Sequence, residues 1–246
     1  MKKKFIIITT VPNSLYFFSG QIQTLKNIFD VEVVSSSGKL LDNFCENEEV
    51  IGHKVEMKRE ISLVNDLKSL FSMFYIFYKN RPDYIHGNTP KAGLISMLSG
   101  WLARVPKRIY YVHGLRYQGE RGLNRKILRL MEQVSCAFST DIFCVSDGVR
   151  NAMYADLITK KKLHLIGSGG VNGVNLTYFQ KNSVDIINIR EKYNIKNGVF
   201  VFGYIGRLVR DKGICELVTS FLEINKTYKE TKLLLVGPYE DILDPL

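Results

Sequence analysis

Val199–Phe221, VFVFGYIGRLVRDKGICELVTSF, changes character twice along its length. Val199 to Ile205 is an apolar run of the kind a buried strand carries. Gly206 breaks it, Arg207 and Lys212 stand on the short segment that follows, and Gly213 closes that segment. Ile214, Leu217, Val218 and Phe221 then recur at helical spacing. A strand, a glycine turn, two cations and a helix start make a device for holding an anion. The first N–H groups of a helix lack partners inside it, and the helix dipole favours negative charge there. Arg207 offers a bidentate fork to phosphate oxygens and Lys212 a point charge. Gly206 has no side chain to hold a diphosphate off the backbone. For an isolated Arg and Lys, a surface turn with two solvated cations is the simpler reading.

Upstream, the same alternation repeats. Apolar runs predict strands at Phe5–Thr10, Val31–Ser35, Val55–Lys58, Tyr84–His86, Arg108–Val112, Asp141–Val145 and Leu163–Ile166. Helices are predicted between them over Phe18–Phe29 (Ile22, Leu25 and Ile28 inward), Ser62–Tyr78 with Ser62 as cap, from Pro90, over Leu123–Phe138, and from Asp147 behind the cap Ser146. The Ser62–Tyr78 helix has a wide apolar face of Leu63, Leu67, Leu70, Phe71, Phe74 and Phe77. It reads as a core helix packed on the sheet rather than one touching lipid, because Asn65, Asp66 and Lys68 leave one polar side. Strands alternating with helices from the first residues predict an α/β fold with a doubly wound parallel sheet. Ligands of such sheets bind at the carboxyl ends of the strands. The domains are placed at 1–175, a connection at 176–198, and 199–246 as the beginning of a second sheet domain, whose single β-α-β unit is too short to close a sheet.

Composition narrows the function. The 246 residues are 46% hydrophobic and 24% charged, as in a globular chain, with a net charge of +10. A basic balance suits anionic partners, but neither zinc-finger spacing nor an RNP-type strand is present, and no nucleic acid is expected. Cys45, Cys136, Cys144 and Cys215 are scattered, which suits a reducing compartment. The four histidines do not cluster with cysteines, so no metal site is expected. Met1–Thr10 reads as a first strand rather than a signal peptide, and no stretch has the ~20 apolar residues of a membrane span.

The spacing G-R-L-x-x-x-K-G at Gly206–Gly213 resembles the donor-diphosphate motif of family 4 glycosyltransferases, which have the GT-B fold of two Rossmann-like domains. Three further blocks carry the resemblance: Thr9–Leu15 through Gly20-Gln21, Val112-His113-Gly114-Leu115-Arg116, and Gly167–Asn175. Together they are similar to bacterial transferases that build capsule, O-antigen or exopolysaccharide. The resemblance implies an N-terminal acceptor-binding domain and a C-terminal domain holding a nucleotide-sugar, here a UDP-sugar. It also implies retention of configuration, no metal or other cofactor, and a donor diphosphate stabilised by protein cations. Ser19-Gly20 departs from the paired glycines of many relatives.

On this basis His113 is the candidate catalytic residue, hydrogen-bonding the donor sugar or its phosphate. Gly206, Arg207, Lys212 and Gly20 are candidate donor-binding residues, and Asn13 and Arg116 candidate acceptor-binding ones. For Asn13, turn chemistry after Pro12 stands equally. For Arg116, a solvated loop does. The expected function is transfer of a sugar from a nucleotide-sugar to a lipid-linked or polysaccharide acceptor. The expected place is the cytoplasmic face of the membrane, held peripherally by the clusters Lys2–Lys4, Arg121–Arg129 and Lys160–Lys162, each of which alone reads as a solvated face. A nucleotide-sugar epimerase of the same architecture is the alternative. The family's E-x-seven-E element is expected beyond Leu246, so that this chain by itself would be a poor catalyst or a non-catalytic remnant.

Overall fold

The computed structural model describes residues 2–58, 62–177, 179–180 and 183–239. They divide into two compact units, Met1–Val174 and Asn175–Leu246. The stretch 176–198 falls in the second unit, where residues 178, 181, 182 and 240–246 lie outside those described.

The first unit runs β1 (Lys3–Ile8), a 3-10 turn (Pro12–Phe18), α1 (Gln21–Lys26), β2 (Phe29–Ser35), α2 (Lys39–Glu48), β3 (Ile51–Lys54), α3 (Leu63–Asn80), β4 (Tyr84–Asn88), α4 (Pro90–Leu102), β5 (Lys107–Val112), a 3-10 turn (Arg116–Gly119), α5 (Gly122–Phe138), β6 (Asp141–Cys144), α6 (Asp147–Ala155) and β7 (Leu163–Leu165). The seven strands form one parallel sheet in the order β3-β2-β1-β4-β5-β6-β7. Ile6, Ile7 and Ile8 of β1 are fully buried, as a central strand covered on both faces requires. On one face Ile6, Ile8, Val34 and Ile85 join Met73, Phe77, Leu128 and Met153 of the helices in one core. On the other Phe5, Ile7, Val31 and Val33 pack with Leu15, Phe18, Ile22, Leu41 and Phe44. The doubly wound sheet is therefore as expected.

Several local expectations change. The third strand is Ile51–Lys54, not Val55–Lys58. It is an edge strand with mostly exposed residues, so it carries no apolar signal; the apolar Val55 and Met57 leave the sheet and pack under α3. The helix expected over Phe18–Phe29 is split, because the chain winds first into the 3-10 turn and Gly20 then takes φ +81°. Ile28 lies past the end of α1 and is exposed. Helix α2 was not legible: Leu41 and Phe44 are its two buried side chains in an otherwise polar segment. Ser62 precedes α3 but its hydroxyl caps no backbone N–H, accepting instead from Asn65 Nδ2 at 2.8 Å, while its own N–H donates to Asp66 Oδ2 at 3.1 Å. Ser146 does cap α6, accepting from Val149 N–H at 3.2 Å. The inward line of α3 is Ser69, Met73 and Phe77, which leaves Leu63, Leu67 and Phe71 exposed.

One buried pair makes stability pH-dependent. Tyr110 O–H donates to Glu132 Oε2 at 2.7 Å between β5 and α5, and burial pushes the Glu132 carboxyl up to about 7. The folded chain then holds a proton that the unfolded chain releases at its ordinary, lower value. The sign follows: stability is lost as pH rises from the carboxylate range through 7. Glu132→Gln keeps an acceptor for Tyr110 and removes the ionisation. It is expected to be near neutral at pH 4 and to stabilise by about 3 kcal/mol at pH 8, as urea unfolding at the two pH values would show.

The second unit contains α7 (Ser183–Lys192), β8 (Phe200–Ile205), a 3-10 turn (Arg210–Lys212), α8 (Ile214–Thr227) and β9 (Thr231–Val236). β8 and β9 pair in parallel from Phe200↔Thr231 to Ile205↔Val236. Ile214 is buried, Val201 and Leu234 are half-buried, and Ile205 is 87% exposed.

Candidate active site

The order of the large sheet reverses between β1 and β4, and the carboxyl ends of those strands frame the crevice such a reversal opens. Thr10 follows β1 and Thr89 follows β4; their hydroxyls share a hydrogen bond at 2.6 Å. Thr89 has φ +67° and ψ 150°, a conformation that costs a non-glycine residue about 1–3 kcal/mol and persists only where the surroundings impose it. Pro90 and the first turn of α4 follow at once. Lys91, buried in that turn, places Nζ 2.7 Å from Asp66 Oδ1 in the first turn of α3.

His113 stands just past the end of β5. Its Nε2 lies 3.0 Å from Asn88 Oδ1 at the end of β4. Asn88 is fully buried, and its amide N donates to the carbonyls of His86 at 2.9 Å and Ile8 at 3.3 Å. Those two carbonyls fix which end of the amide is which, so Oδ1 must accept and His113 Nε2–H must donate. The imidazole is thereby set in the Nε2–H tautomer. Its Nδ1 carries the free lone pair, is buried, and has no partner among the described residues. Burial pushes His113 down to about 4, so the ring is neutral at physiological pH. A neutral imidazole with one committed nitrogen and one bare acceptor is suited to receive a hydrogen bond from a hydroxyl.

Below His113 on the same sheet face, Phe18, Gln21, His86, Tyr111, Ile166 and Gly169–Gly173 enclose a pocket of about 330 Å³. His86 meets the rings of Phe18 and Tyr111 edge-on, at 5.7 and 5.6 Å, and burial followed by the proximity of His113 holds it down at about 3. The glycine-rich loop that closes the pocket is pinned at three points. Gln21 Nε2 donates to Val171 O at 2.7 Å, Asn172 Nδ2 to Ser19 O at 2.8 Å, and Tyr111 O–H to Gly170 O at 2.7 Å. Gly169 has φ +96°, and a Cβ there would lie 2.6 Å from Val145 O, so no larger residue fits. Three segments distant in sequence, Thr9–Gln21, Val112–Arg116 and Gly167–Val174, thus meet at one edge.

Of the residues expected at this edge, Asn13 is exposed on the 3-10 turn, and its side chain makes no hydrogen bond among the described residues. Gly20 sits at the N-terminus of α1. Arg116 is exposed on the turn that follows His113 and Gly114. Phe17, on the same turn as Asn13, stacks on the His113 ring at 6.3 Å. Asn88, Thr89 and Tyr111 went unread; Asn88 and Thr89 stand next to Pro90 in the sequence, and only the β4–β5 pairing makes Asn88 a neighbour of His113.

In the second unit, Gly206, Arg207, Lys212 and Gly213 form the expected βα turn. Gly206 N–H does not face outward: it donates to Val236 O at 2.9 Å. The donors left for an anion are those of the first turn of α8, which begins after Gly213 at φ +71°. Arg207 and Lys212 are both exposed, and Arg207 Nη2 lies 3.7 Å from Asp211 Oδ2, a surface pair of small energy. Gly237 is an unread requirement of this turn, since a Cβ on it would lie 1.7 Å from Gly206 O. That oxygen is backbone and cannot turn aside. Gly237→Ala is expected to push the Gly206 turn out of place and to destabilise the unit by about 1–3 kcal/mol. Hydrogen exchange of the β8 and β9 amides would report it as faster opening.

A model of Glycosyltransferase Family 4 matches residues 25–175, more than half of the chain and the part that holds His113. The chain belongs to that family. Among curated proteins it is 39% identical over 241 residues to the capsular polysaccharide biosynthesis glycosyltransferase CapM of Staphylococcus aureus, covering 97% of this chain and 62% of CapM. It is 25% identical over 218 residues to the Escherichia coli UDP-Gal:alpha-D-GlcNAc-diphosphoundecaprenol alpha-1,3-galactosyltransferase, covering 86% of this chain and 55% of that enzyme. The chain thus spans less than two thirds of the length of these relatives. Among solved structures, Anabaena HepE in complex with UDP and glucose aligns with a TM-score of 0.76 at 16% identity, covering 97% of this chain and 62% of that one. At that identity the likeness speaks for the fold.

Proposed function

We propose that this family 4 chain belongs to a retaining glycosyltransferase that moves a sugar from a UDP-sugar to a lipid-linked or polysaccharide acceptor in surface polysaccharide synthesis. The observation that carries the reading is His113, held by Asn88 as a neutral imidazole with Nδ1 bare, at the carboxyl edge of the sheet. The printed functions of CapM and of the galactosyltransferase support the same class.

The chemistry assigned to the residues is as follows. The first turn of α8, with Arg207 and Lys212, holds the donor diphosphate. As the bond from the sugar's anomeric carbon to the phosphate oxygen breaks, these groups stabilise the negative charge that grows on departing UDP. His113 Nδ1 accepts a hydrogen bond from a donor hydroxyl and fixes the ring. The acceptor hydroxyl forms the new bond to the anomeric carbon and passes its proton to the departing phosphate, so no protein base is required. Asn13, Gly20 and Arg116 belong to the carboxyl edge of the large sheet, Gly20 assigned to the donor and Asn13 and Arg116 to the acceptor, Arg116 offering a cation to an acceptor phosphate. No metal or other cofactor takes part in this reading. Among the described residues no three His, Cys, Asp or Glu side chains gather as metal ligands.

The test, made in the context of a full-length relative because the chain spans only part of CapM's length, is incubation with a labelled UDP-sugar, with and without a polyprenyl-diphosphate-linked sugar. Label in the lipid, with UDP released only when acceptor is present, is the expected result. An isomeric sugar nucleotide formed without acceptor would make the chain an epimerase instead.

The same reading places the protein at the cytoplasmic face of a membrane. No helix among the described residues is long and apolar enough to cross one. The basic clusters contribute less than their sequence suggests. Lys4 is paired with Glu32, Arg129 donates to Asp156 O, and Lys161 Nζ donates to the carbonyls of Cys136, Ala137 and Ser139, closing the C-terminus of α5.

A further inference from the structure

Helix α3 buries one side and leaves an apolar stripe on the other. Val64, Leu67, Phe71, Tyr75 and Tyr78 are 56–68% exposed, and Leu63 beside them is 83% exposed. At 100° per residue the five lie within a strip roughly 80° wide that follows the helix for most of its roughly 27 Å. Isolated exposed hydrophobics are ordinary, but a continuous row marks an interaction surface.

The charges around the row select what covers it. Lys68 and Lys79 border it on one side, both exposed and neither in an ion pair among the described residues. Asp66, the single acidic residue of α3, is turned away and bound to Lys91. Next to α3 on the same sheet face lies α4, and next to α4 lies α5. The exposed N-terminal part of α5 adds Arg121, Arg125 and Lys126 around Leu123. A second copy docked antiparallel across a two-fold axis would set the lysine rows against each other, and a parallel one would leave them without an anionic partner. A bilayer with anionic headgroups accepts both features at once: apolar side chains below, cations at the phosphate level, and Tyr75 between them.

We propose that the exposed stripe of α3 is the surface on which the protein lies in an anionic bilayer, with the helix axis along the membrane plane. The inference rests on the membrane-facing reading above and assigns it an apolar surface that the basic clusters by themselves do not supply. It also orients the site. The helices return antiparallel to the strands, and the Asp66–Lys91 pair puts the start of α3 beside the start of α4. The stripe therefore begins at the carboxyl edge of the sheet, the edge that carries His113, where a headgroup-level acceptor is within reach.

The experiment is co-sedimentation of the 246-residue chain with phosphatidylcholine vesicles, with and without phosphatidylglycerol, at low and high salt. The chain is expected to bind the anionic vesicles. Leu67→Ser with Phe71→Ser is expected to lower the partition coefficient about tenfold or more. Lys68→Glu with Lys79→Glu is expected to lower it about fivefold for each lysine removed. All four positions are exposed, and circular dichroism with a UDP titration checks that the fold and the nucleotide site are intact. As a second measurement, Phe71→Trp in a Trp101→Phe background should be quenched by brominated lipid. Binding unchanged by Leu67→Ser and Phe71→Ser, with no quenching, would overturn the α3 assignment and leave membrane binding to other cations. No binding by the parent chain would overturn both. Self-association that disappears with Phe71→Ser would make a second copy the occupant and overturn the proposal. None of these outcomes touches the glycosyltransferase reading, which the UDP titration follows separately.

Discussion

His113→Ala is expected to lower kcat for sugar transfer about a hundredfold or more, the usual effect of removing one preorganised hydrogen-bond partner from a reacting group. KM for the donor should change less, because the bond matters most when the ring and the leaving group separate. The geometry adds a sharper expectation. With the imidazole held down at about 4, kcat/KM should show no inflection from His113 across pH 5.5–7.5. Asn88→Asp puts a carboxylate against Nε2, which favours the imidazolium and moves the ring back toward its ordinary range. Nδ1 would then be protonated on the acid side and unable to accept. An acid limb should appear in the pH profile of Asn88→Asp, alongside a stability loss of about 1–3 kcal/mol from facing the carboxylate with the Ile8 and His86 carbonyls. Asn88→Ala frees the tautomer without adding charge, and should lower kcat without that limb. NMR of the imidazole nitrogens would report the tautomer directly. A His113 ring protonated on Nδ1 in the parent chain would remove the basis of the assignment.

Arg207→Ala combined with Lys212→Ala is expected to weaken UDP binding about a hundredfold, since charge-assisted hydrogen bonds to phosphate contribute about 1.5–3 kcal/mol each. The Arg207 share should be the smaller at low salt, because the guanidinium already has Asp211 3.7 Å away. Asp211→Asn should accordingly tighten UDP binding several-fold, and the gain should shrink as salt is raised. Calorimetric titration of UDP into the parent, the two single alanine variants, their double variant and Asp211→Asn measures all of this. Equal affinities throughout would show that the diphosphate is not held at this turn.

The parallel sheet was legible because a strand buried on both faces needs a continuous apolar run, and Phe5–Ile8 and Tyr110–Val112 are such runs, while Val31–Val34 is one broken only by Glu32. The edge strand Ile51–Lys54 and helix α2 were not, because each buries too little for periodicity to show. On α3 the packing on the sheet was read correctly and Phe77 and Leu70 do meet the core, but Leu63, Leu67 and Phe71 of the same expected face do not. Its apolar residues go most of the way round, and only the packing of Ser69, Met73 and Phe77 decides which arc faces the sheet.

From local pattern alone, this sequence determined its alternation of strands and helices, its glycine turn with Arg207 and Lys212, and the placing of His113 at a strand end. Each is a matter of a few neighbouring residues. Tertiary structure alone decided what those residues can do. His113 acquires its tautomer from Asn88, which is 25 residues away in the chain and adjacent only because β4 and β5 pair. The Gly206 turn is shaped by Gly237, just past the neighbouring strand β9, and the glycine loop at 169–172 by Ser19 and Gln21 at the start of α1. Protonation state, close approach and exposure depend on which groups arrive together in space, and spacing along the chain does not encode that.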